Sequence, residues 1–160
     1  MCNGPENPAS ESIEVRQALP DDASMMHALL RPFVMQRRLL SRTHAELVEL
    51  TRHGFVALVR PASDHDPSSP LCVGFYAVEV YSPKLAELQS LAVHPDFQRT
   101  GLGKRLVMQC VERARDLGIM EILAISSSDR FLETCGFQYS LPDQKRALFH
   151  QLRPRPYEDR

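Results

Sequence analysis

The sequence is short of several features that mark specialised classes of protein. Its longest uninterrupted apolar runs fall far below the roughly 20 residues that a membrane-crossing helix requires, so no membrane partner is expected. It has no repeat. The first ten residues carry Pro, Gly, Asn and Ser but neither a basic start nor an apolar block, which does not fit a secretory leader; 1–10 is expected to be a flexible arm. The four cysteines, Cys2, Cys72, Cys110 and Cys135, include no CxxC pair, which speaks against zinc ligation and thioredoxin-type redox chemistry. No metal is expected. Free thiols suit a reducing cytosol, so the expected location is cytoplasmic, with Cys72 and Cys110 as small core residues. Charge of one sign is also missing. The net value is -1 and the pI about 6.6, without the basic excess that a nucleic-acid partner demands. Arg37 and Arg38 are the local exception, read either as a solvated helix end or as part of a substrate site.

What remains fits one domain. The 160 residues are 43% hydrophobic and 24% charged, ordinary values for a globular chain with its own core. The domain is expected over 11–152, with a flexible tail at 153–160 where Arg and Pro alternate before the chain turns acidic.

Hydrophobic spacing and punctuation predict the elements. A short strand at 13–16 is followed by a helix over 22–30 that Pro32 ends or kinks. Thr43 and Glu46 match the S/T-x-x-E capping box ahead of Leu47, Val48 and Leu50, which predicts a second helix stopped by Gly54. Strands follow at 55–59 and 73–80, joined by an exposed loop at 61–70, and a third at 86–93 is closed by Pro95. Leu102, Leu106, Val107, Cys110, Val111, Ala114 and Leu117 form the apolar stripe of a strongly amphipathic helix, and Gly118 caps it. A strand at 121–125, a brief helix at 130–135 and a final strand pair at 137–139 and 147–152 complete the chain. This order implies a mixed α/β (α+β) domain, mostly antiparallel with one parallel crossover, its sheet flanked by helices.

The chemistry centres on Gln98-Arg99-Thr100-Gly101-Leu102-Gly103-Lys104, between a strand and a helix. Unpaired N–H groups and the positive end of the helix macrodipole make such a helix start a binding place for phosphate. Gly101 and Gly103 let the backbone approach a diphosphate closely, and Arg99, Lys104 and Arg105 add positive charge. A Walker A loop would need Gly where Gln98 stands, and a dinucleotide fingerprint would need Gly at Leu106. On its own, the Gly-x-Gly turn is equally a plain helix start.

The wider context resembles the GNAT superfamily of N-acetyltransferases. Leu88 to Gly103 looks like that superfamily's fourth strand and its Q/R-x-x-G-x-G/A loop, and Phe131-Leu132-Glu133-Thr134-Cys135-Gly136-Phe137 looks like its F-Y-E-K-x-G-F segment. The resemblance implies a splayed parallel strand pair holding acetyl-CoA as co-substrate. The pantetheine arm would lie along Leu91, Ala92 and Val93, the diphosphate on Gln98, Arg99, Thr100, Gly101, Leu102, Gly103 and Lys104, and the thiol end beside Phe131. It implies an enzyme that transfers acetyl from a thioester to a small-molecule amine, without a covalent intermediate. Dimers are common in the superfamily, so a homodimer is compatible, although no stripe here demands one.

Strict alternation puts Glu87, Gln89, Leu91 and Val93 on one strand face, which makes Glu87 the candidate base. Leu132 stands where the superfamily often has an acidic Tyr, with Tyr81 and Tyr139 as candidate substitutes. The usual Asn after the fifth strand is replaced by the stretch Ser126-Ser127-Ser128. The stretch from Leu30 to Thr43 is similar to the acetyltransferase domain of N-acetylglutamate synthases. That likeness implies a glutamate-like acceptor gripped by Arg31, with Arg42 the weaker candidate. Another amine (a protein N-terminus, a lysine, a polyamine) and a non-catalytic acyl-CoA-binding module are the alternatives.

Overall fold

Two strands rich in β-branched and aromatic residues, at 54–59 and 71–82, pair with three shorter or Leu- and Ala-rich ones into one five-stranded sheet, and the amphipathic segments cover its two faces. The computed structural model describes residues 12–60 and 70–154. The expected arm at 1–10, the loop from 61 to 69 and the tail from 155 lie outside the described residues. The strands are β1 (Glu14–Gln17), β2 (Gly54–Val59), β3 (Leu71–Ser82), β4 (Leu85–Val93) and β5 (Glu121–Ala124). They lie in the order β1-β2-β3-β4-β5. All neighbours are antiparallel except β4 and β5, which run parallel across the α3 crossover.

Helices α1 (Ala23–Met35) and α2 (His44–Leu50) cover one face; α3 (Leu102–Asp116) covers the other, and the short α4 (Asp129–Thr134) follows β5. Two buried clusters result. One joins Met26, Leu30, Phe33, Leu47 and Leu50 to Val56, Phe75, Ala77 and Ala92. The other joins Leu102, Leu106, Val107 and Cys110 to Val73, Tyr76, Val78 and Leu88. Cys72 and Cys110 are both buried, and burial pushes the Cys72 thiol up to about 11, which fits inert core residues.

Most boundaries follow the sequence pattern. The α2 capping box forms as expected: the Glu46 N–H donates to Thr43 Oγ1 at 3.2 Å, and the Thr43 N–H donates to Glu46 Oε2 at 2.7 Å. Three features differ. Helix α1 runs through Pro32 to Met35 instead of stopping near Leu30. Proline in a helix interior costs about 3 kcal/mol. Leu30 and Phe33 are buried on either side of it, and each contributes roughly 1.5–3 kcal/mol of burial, enough to carry the helix onward. The expected C-terminal strand pair does not form. Asp143 and Gln144 take left-handed φ values of 63° and 57° after Pro142, and Leu148 and Leu152 beyond them are 92% and 88% exposed. Strand propensity without a paired neighbour does not make a strand. Finally, Leu117 of the expected α3 stripe is 40% exposed at the helix end.

One ion pair ties β1 to the turn ahead of α1. Asp22, 3% exposed, accepts from Arg16 Nη1 at 2.7 Å and Nη2 at 2.9 Å, and from the Leu19 N–H at 2.8 Å. The Arg16 guanidinium, helped by the Leu19 amide, holds the Asp22 carboxyl below its usual range against the opposing effect of burial. A depressed folded value stabilises above the unfolded value of about 3.9 and is lost as pH falls through the folded one. Asp22→Asn should therefore cost about 2 kcal/mol at pH 7 by urea unfolding. The gap between the two proteins should narrow below about pH 4, and a gap constant with pH would contradict the assignment.

Candidate functional site

The site begins where two strands part. β4 pairs with β5 from Leu85↔Glu121 to Leu88↔Ala124 and no further, while β4 itself continues to Val93. Beyond Leu88, β4 has strand β3 on one side and, among the described residues, no strand on the other. In the same stretch β4 bulges against β3. Phe75 pairs with Ala92 and Ala77 with Gln89, so Tyr76 alone faces two residues, Ser90 and Leu91. Ser90 takes a left-handed φ of 62° to make room.

The bulge resets the alternation of β4. Ala92 packs in the α1–α2 cluster and Gln89 pairs with Ala77 of that cluster. Ala86, Leu88, Leu91 and Val93 pack with the α3 cluster. The expectation of a common face for Glu87, Gln89, Leu91 and Val93 is therefore corrected. Glu87 and Gln89 share one face, and Leu91 and Val93 share the other, because one extra residue inverts every position beyond it.

The loop after β4 is tied by its own side chains. Gln98 Nε2 donates to the Val93 carbonyl at 2.9 Å, Thr100 Oγ1 to the Phe97 carbonyl at 2.6 Å, and the Asp96 N–H to His94 Nδ1 at 3.2 Å. Arg99 is left-handed at φ 62°, and Gly101, the N-cap of α3, has φ 86°. No side chain caps this helix start and its first turn holds no acidic residue, so its amides are available to an anion. The two glycines serve different ends. A Cβ at Gly101 would meet nothing within 4 Å, so its backbone angle is what calls for glycine; a Cβ at Gly103 would lie 3.3 Å from Phe131 Cζ.

Loop, strand split and α4 together border a cleft of about 560 Å³. Of the expected cofactor residues, Leu91, Val93, Gln98, Arg99, Gly101, Gly103, Lys104 and Phe131 line it. Ala92 and Leu102 do not: both are buried in the core. Thr100 is exposed and spends its hydroxyl on the loop. Ser126, Ser127 and Ser128 border the cleft, and across from the loop stand Phe33, Arg38 and Leu39. Among the described residues its charged lining is Arg38, Arg99 and Lys104, with no Asp or Glu.

Glu87, the candidate base, is not among the residues that line this cleft. It is 9% exposed, and the Tyr81 hydroxyl donates to its Oε2. Burial and the adjacent carboxylate push the Tyr81 phenol well up, which keeps it a donor. Gln89 Nε2 reaches Tyr81 Oη at 3.4 Å, and Arg42 Nη2 donates to Gln89 Oε1 at 2.6 Å, so a polar chain links Arg42 to Glu87. Arg42 Nε is buried without a partner. Arg31 and Arg42 border a separate cavity of about 20 Å³ with His27 and Leu47, and neither lines the cleft.

Leu132 is 6% exposed and packs as a core residue. Tyr139 bonds Asp129 on the far side of α4. Among the described tyrosines, Tyr76 alone lines the cleft, 4% exposed, its phenol pushed far up by burial. Sequence reasoning missed Tyr76 because an all-apolar strand marks it as core. It missed Phe33 because it expected α1 to stop short. Among the described residues, no cluster of three or more His, Cys, Asp or Glu could hold a metal ion, and no helix is long and apolar enough to cross a membrane.

The cradle at Gly103 yields a test. Gly103→Val would fill the space between Val93 and Phe131. It should weaken coenzyme A binding at least about 100-fold by calorimetric titration, roughly 2.7 kcal/mol, while far-ultraviolet circular dichroism stays that of the parent. Unchanged affinity would remove the loop from the binding site.

Comparison with known proteins places this geometry in context. Residues 24–137 match the acetyltransferase (GNAT) family. The amino-acid acetyltransferase of Edwardsiella ictaluri (strain 93-146) is 26% identical over 146 residues, which cover 88% of this chain and 31% of that protein. An uncharacterised N-acetyltransferase of Chlorobaculum tepidum is 28% identical over 131 residues, 82% of this chain and 78% of that one. The N-acetylglutamate synthase of Neisseria gonorrhoeae, solved with coenzyme A and N-acetyl-glutamate, superposes with a TM-score of 0.68 at 27% identity. That match covers 83% of this chain and 30% of the other. This chain thus spans about a third of the length of these amino-acid-specific relatives. With a parting parallel strand pair, a glycine loop at the start of α3 and a match over residues 24–137, the chain belongs to the acetyltransferase (GNAT) family.

Proposed function

We propose that this protein is an N-acetyltransferase that moves the acetyl group of acetyl-CoA to a primary amine, the α-amino group of glutamate or a similar small amino acid. The observation that carries this reading is the single cleft joining the uncapped α3 start to the split between β4 and β5. The names of the relatives above support the acceptor class. So does a lining that holds, among the described residues, three cations and no carboxylate, a poor match to a polyamine.

In this reading the diphosphate rests on the amides from Gln98 to Lys104, with Arg99 and Lys104 adding charge. The pantetheine arm follows Leu91 to Val93, where β4 has lost its β5 neighbour, and Phe131 flanks the thiol end. Holding amine and thioester in reach of each other supplies on the order of 7–11 kcal/mol. A free N–H of the bulged strand donates to the thioester oxygen as it gains charge. Glu87 receives the ammonium proton through a water, and the Tyr81 hydrogen bond fixes its carboxylate. The amine nitrogen then forms its bond to the carbonyl carbon, the C–S bond breaks as the nitrogen sheds its surplus proton, and the leaving thiolate takes up that proton. No enzyme nucleophile is needed. Arg31 and Arg42 are the arginines that the likeness to N-acetylglutamate synthases offers for the acceptor's carboxylate. A small-molecule acceptor in the cytoplasm, with neither nucleic acid nor membrane as partner, completes the reading.

A thiol-release assay with acetyl-CoA and a panel of amines tests it. Turnover is expected with glutamate or a close analogue; cofactor binding with no turnover for any amine would make the chain a binding module instead. Glu87→Gln should lower turnover by roughly 10²–10⁴-fold, most severely at low pH, with coenzyme A affinity unchanged. A pH–rate profile identical to the parent's would remove Glu87 from the role of base.

A further inference from the structure

Helix α1 ends in a turn that carries a cation to the cleft. The Gln36, Arg37 and Arg38 N–H groups donate back to the Pro32, Val34 and Phe33 carbonyls at 3.0, 2.9 and 2.9 Å. Arg37 holds a left-handed φ of 58°, at a place where helices usually end in glycine. The reversal folds the chain back over Phe33, and the Arg38 guanidinium lies 5.3 Å from the centre of the Phe33 ring. A cation–π contact of this kind uses no N–H hydrogen bond, so the guanidinium keeps its donors for an acceptor. Among the described residues no carboxylate forms an ion pair with Arg38.

The two walls of the cleft belong to opposite faces of the sheet. Gly101, Gly103, Arg99 and Lys104 stand at the start of α3, whereas Phe33 is part of the α1–α2 cluster. An anion bound at the α3 start leaves the Phe33–Arg38 wall to the second reactant. Of Arg31, Arg38 and Arg42, only Arg38 lines this cleft.

We propose that Arg38 reads the acid group of the acceptor, gripping a carboxylate through its in-plane N–H pair while the amine points toward the Ser90–Leu91 bulge. This rests on the acetyltransferase reading above and deepens it. The acceptor is an amine that carries a carboxylate, and the discriminating arginine comes from the turn after α1 rather than from Arg31 or Arg42.

The test compares the parent with Arg38→Ala, Arg38→Lys, Arg31→Ala and Arg42→Ala in steady-state assays, using glutamate, glycinamide and acetyl-CoA as varied substrates. Arg38→Ala should raise the glutamate KM about 10- to 100-fold and lower the preference for glutamate over glycinamide by a similar factor. The acetyl-CoA KM should stay within about twofold, and Arg38→Lys should recover only part of the loss because a point charge lacks the fork. The proposal is overturned if the acetyl-CoA KM rises in step, which would make Arg38 a cofactor phosphate ligand. It is equally overturned if the glutamate KM does not move, or if Arg31→Ala or Arg42→Ala abolishes the preference while Arg38→Ala keeps it. If no amine turns over, the acetyltransferase reading fails separately, and calorimetry of glutamate on the coenzyme A-loaded protein decides the role of Arg38. Heat present in the parent and lost in Arg38→Ala supports it; heat unchanged, or absent from the parent, ends it.

Discussion

Two parallel strands that pair for only four residues shape everything functional in this fold. A sheet strand satisfies its backbone through its neighbours, so a strand that loses one neighbour in mid-course must meet water or a ligand there. β4 is in that position beyond Leu88. Its other edge stays bonded to β3, but only through a bulge that turns Ser90 left-handed. The split opens a gap, and the bulge decides which side chains face it. Leu91 and Val93 enter with the α3 layer, Gln89 and Glu87 remain with the α1–α2 layer, and a cleft joins the two sides of the sheet.

Backbone strain gathers in the same place. Ser90 and Arg99 line the cleft with positive φ, and Arg37, also positive, precedes Arg38, which lines it too. Each costs on the order of 1–3 kcal/mol. The surrounding core holds them there: Phe75, Val73, Leu106 and Val107 are wholly buried within the two clusters that grip the sheet from either face. The strained residues thus lie on the cleft lining or, for Arg37, next to it.

Charge near the cleft is segregated. The cations Arg38, Arg99 and Lys104 line it, while Glu87 is not among its lining and its carboxylate accepts from Tyr81. The chain Arg42–Gln89–Tyr81–Glu87 crosses from the segment between the first two helices to two strands. It couples the position of that segment to the orientation of the carboxylate.

Much of this was legible in the residues themselves. Periodic apolar spacing marked α3, the Thr43–Glu46 box marked α2, and Gly101 with Gly103 marked the glycine turn that starts α3, because each depends on interactions within a few residues of the chain. Local pattern misled where distant contacts override it. Pro32 reads as a helix end or kink, yet burial of Leu30 and Phe33 carries α1 past it and so delivers Arg38 to the cleft. The apolar residues at 147–152 read as a strand but have no pairing partner among the described residues. Alternation in β4 failed at Ser90, since a bulge is set by register against β3 and leaves no mark in a run of nine strand residues. The sequence by itself therefore determined most of the elements and the glycine turn ahead of α3, which are local in origin. Only the tertiary structure decided which arginine reaches the cleft, which side of the sheet Glu87 occupies and where β4 leaves β5, because each is a balance between chain segments far apart in sequence.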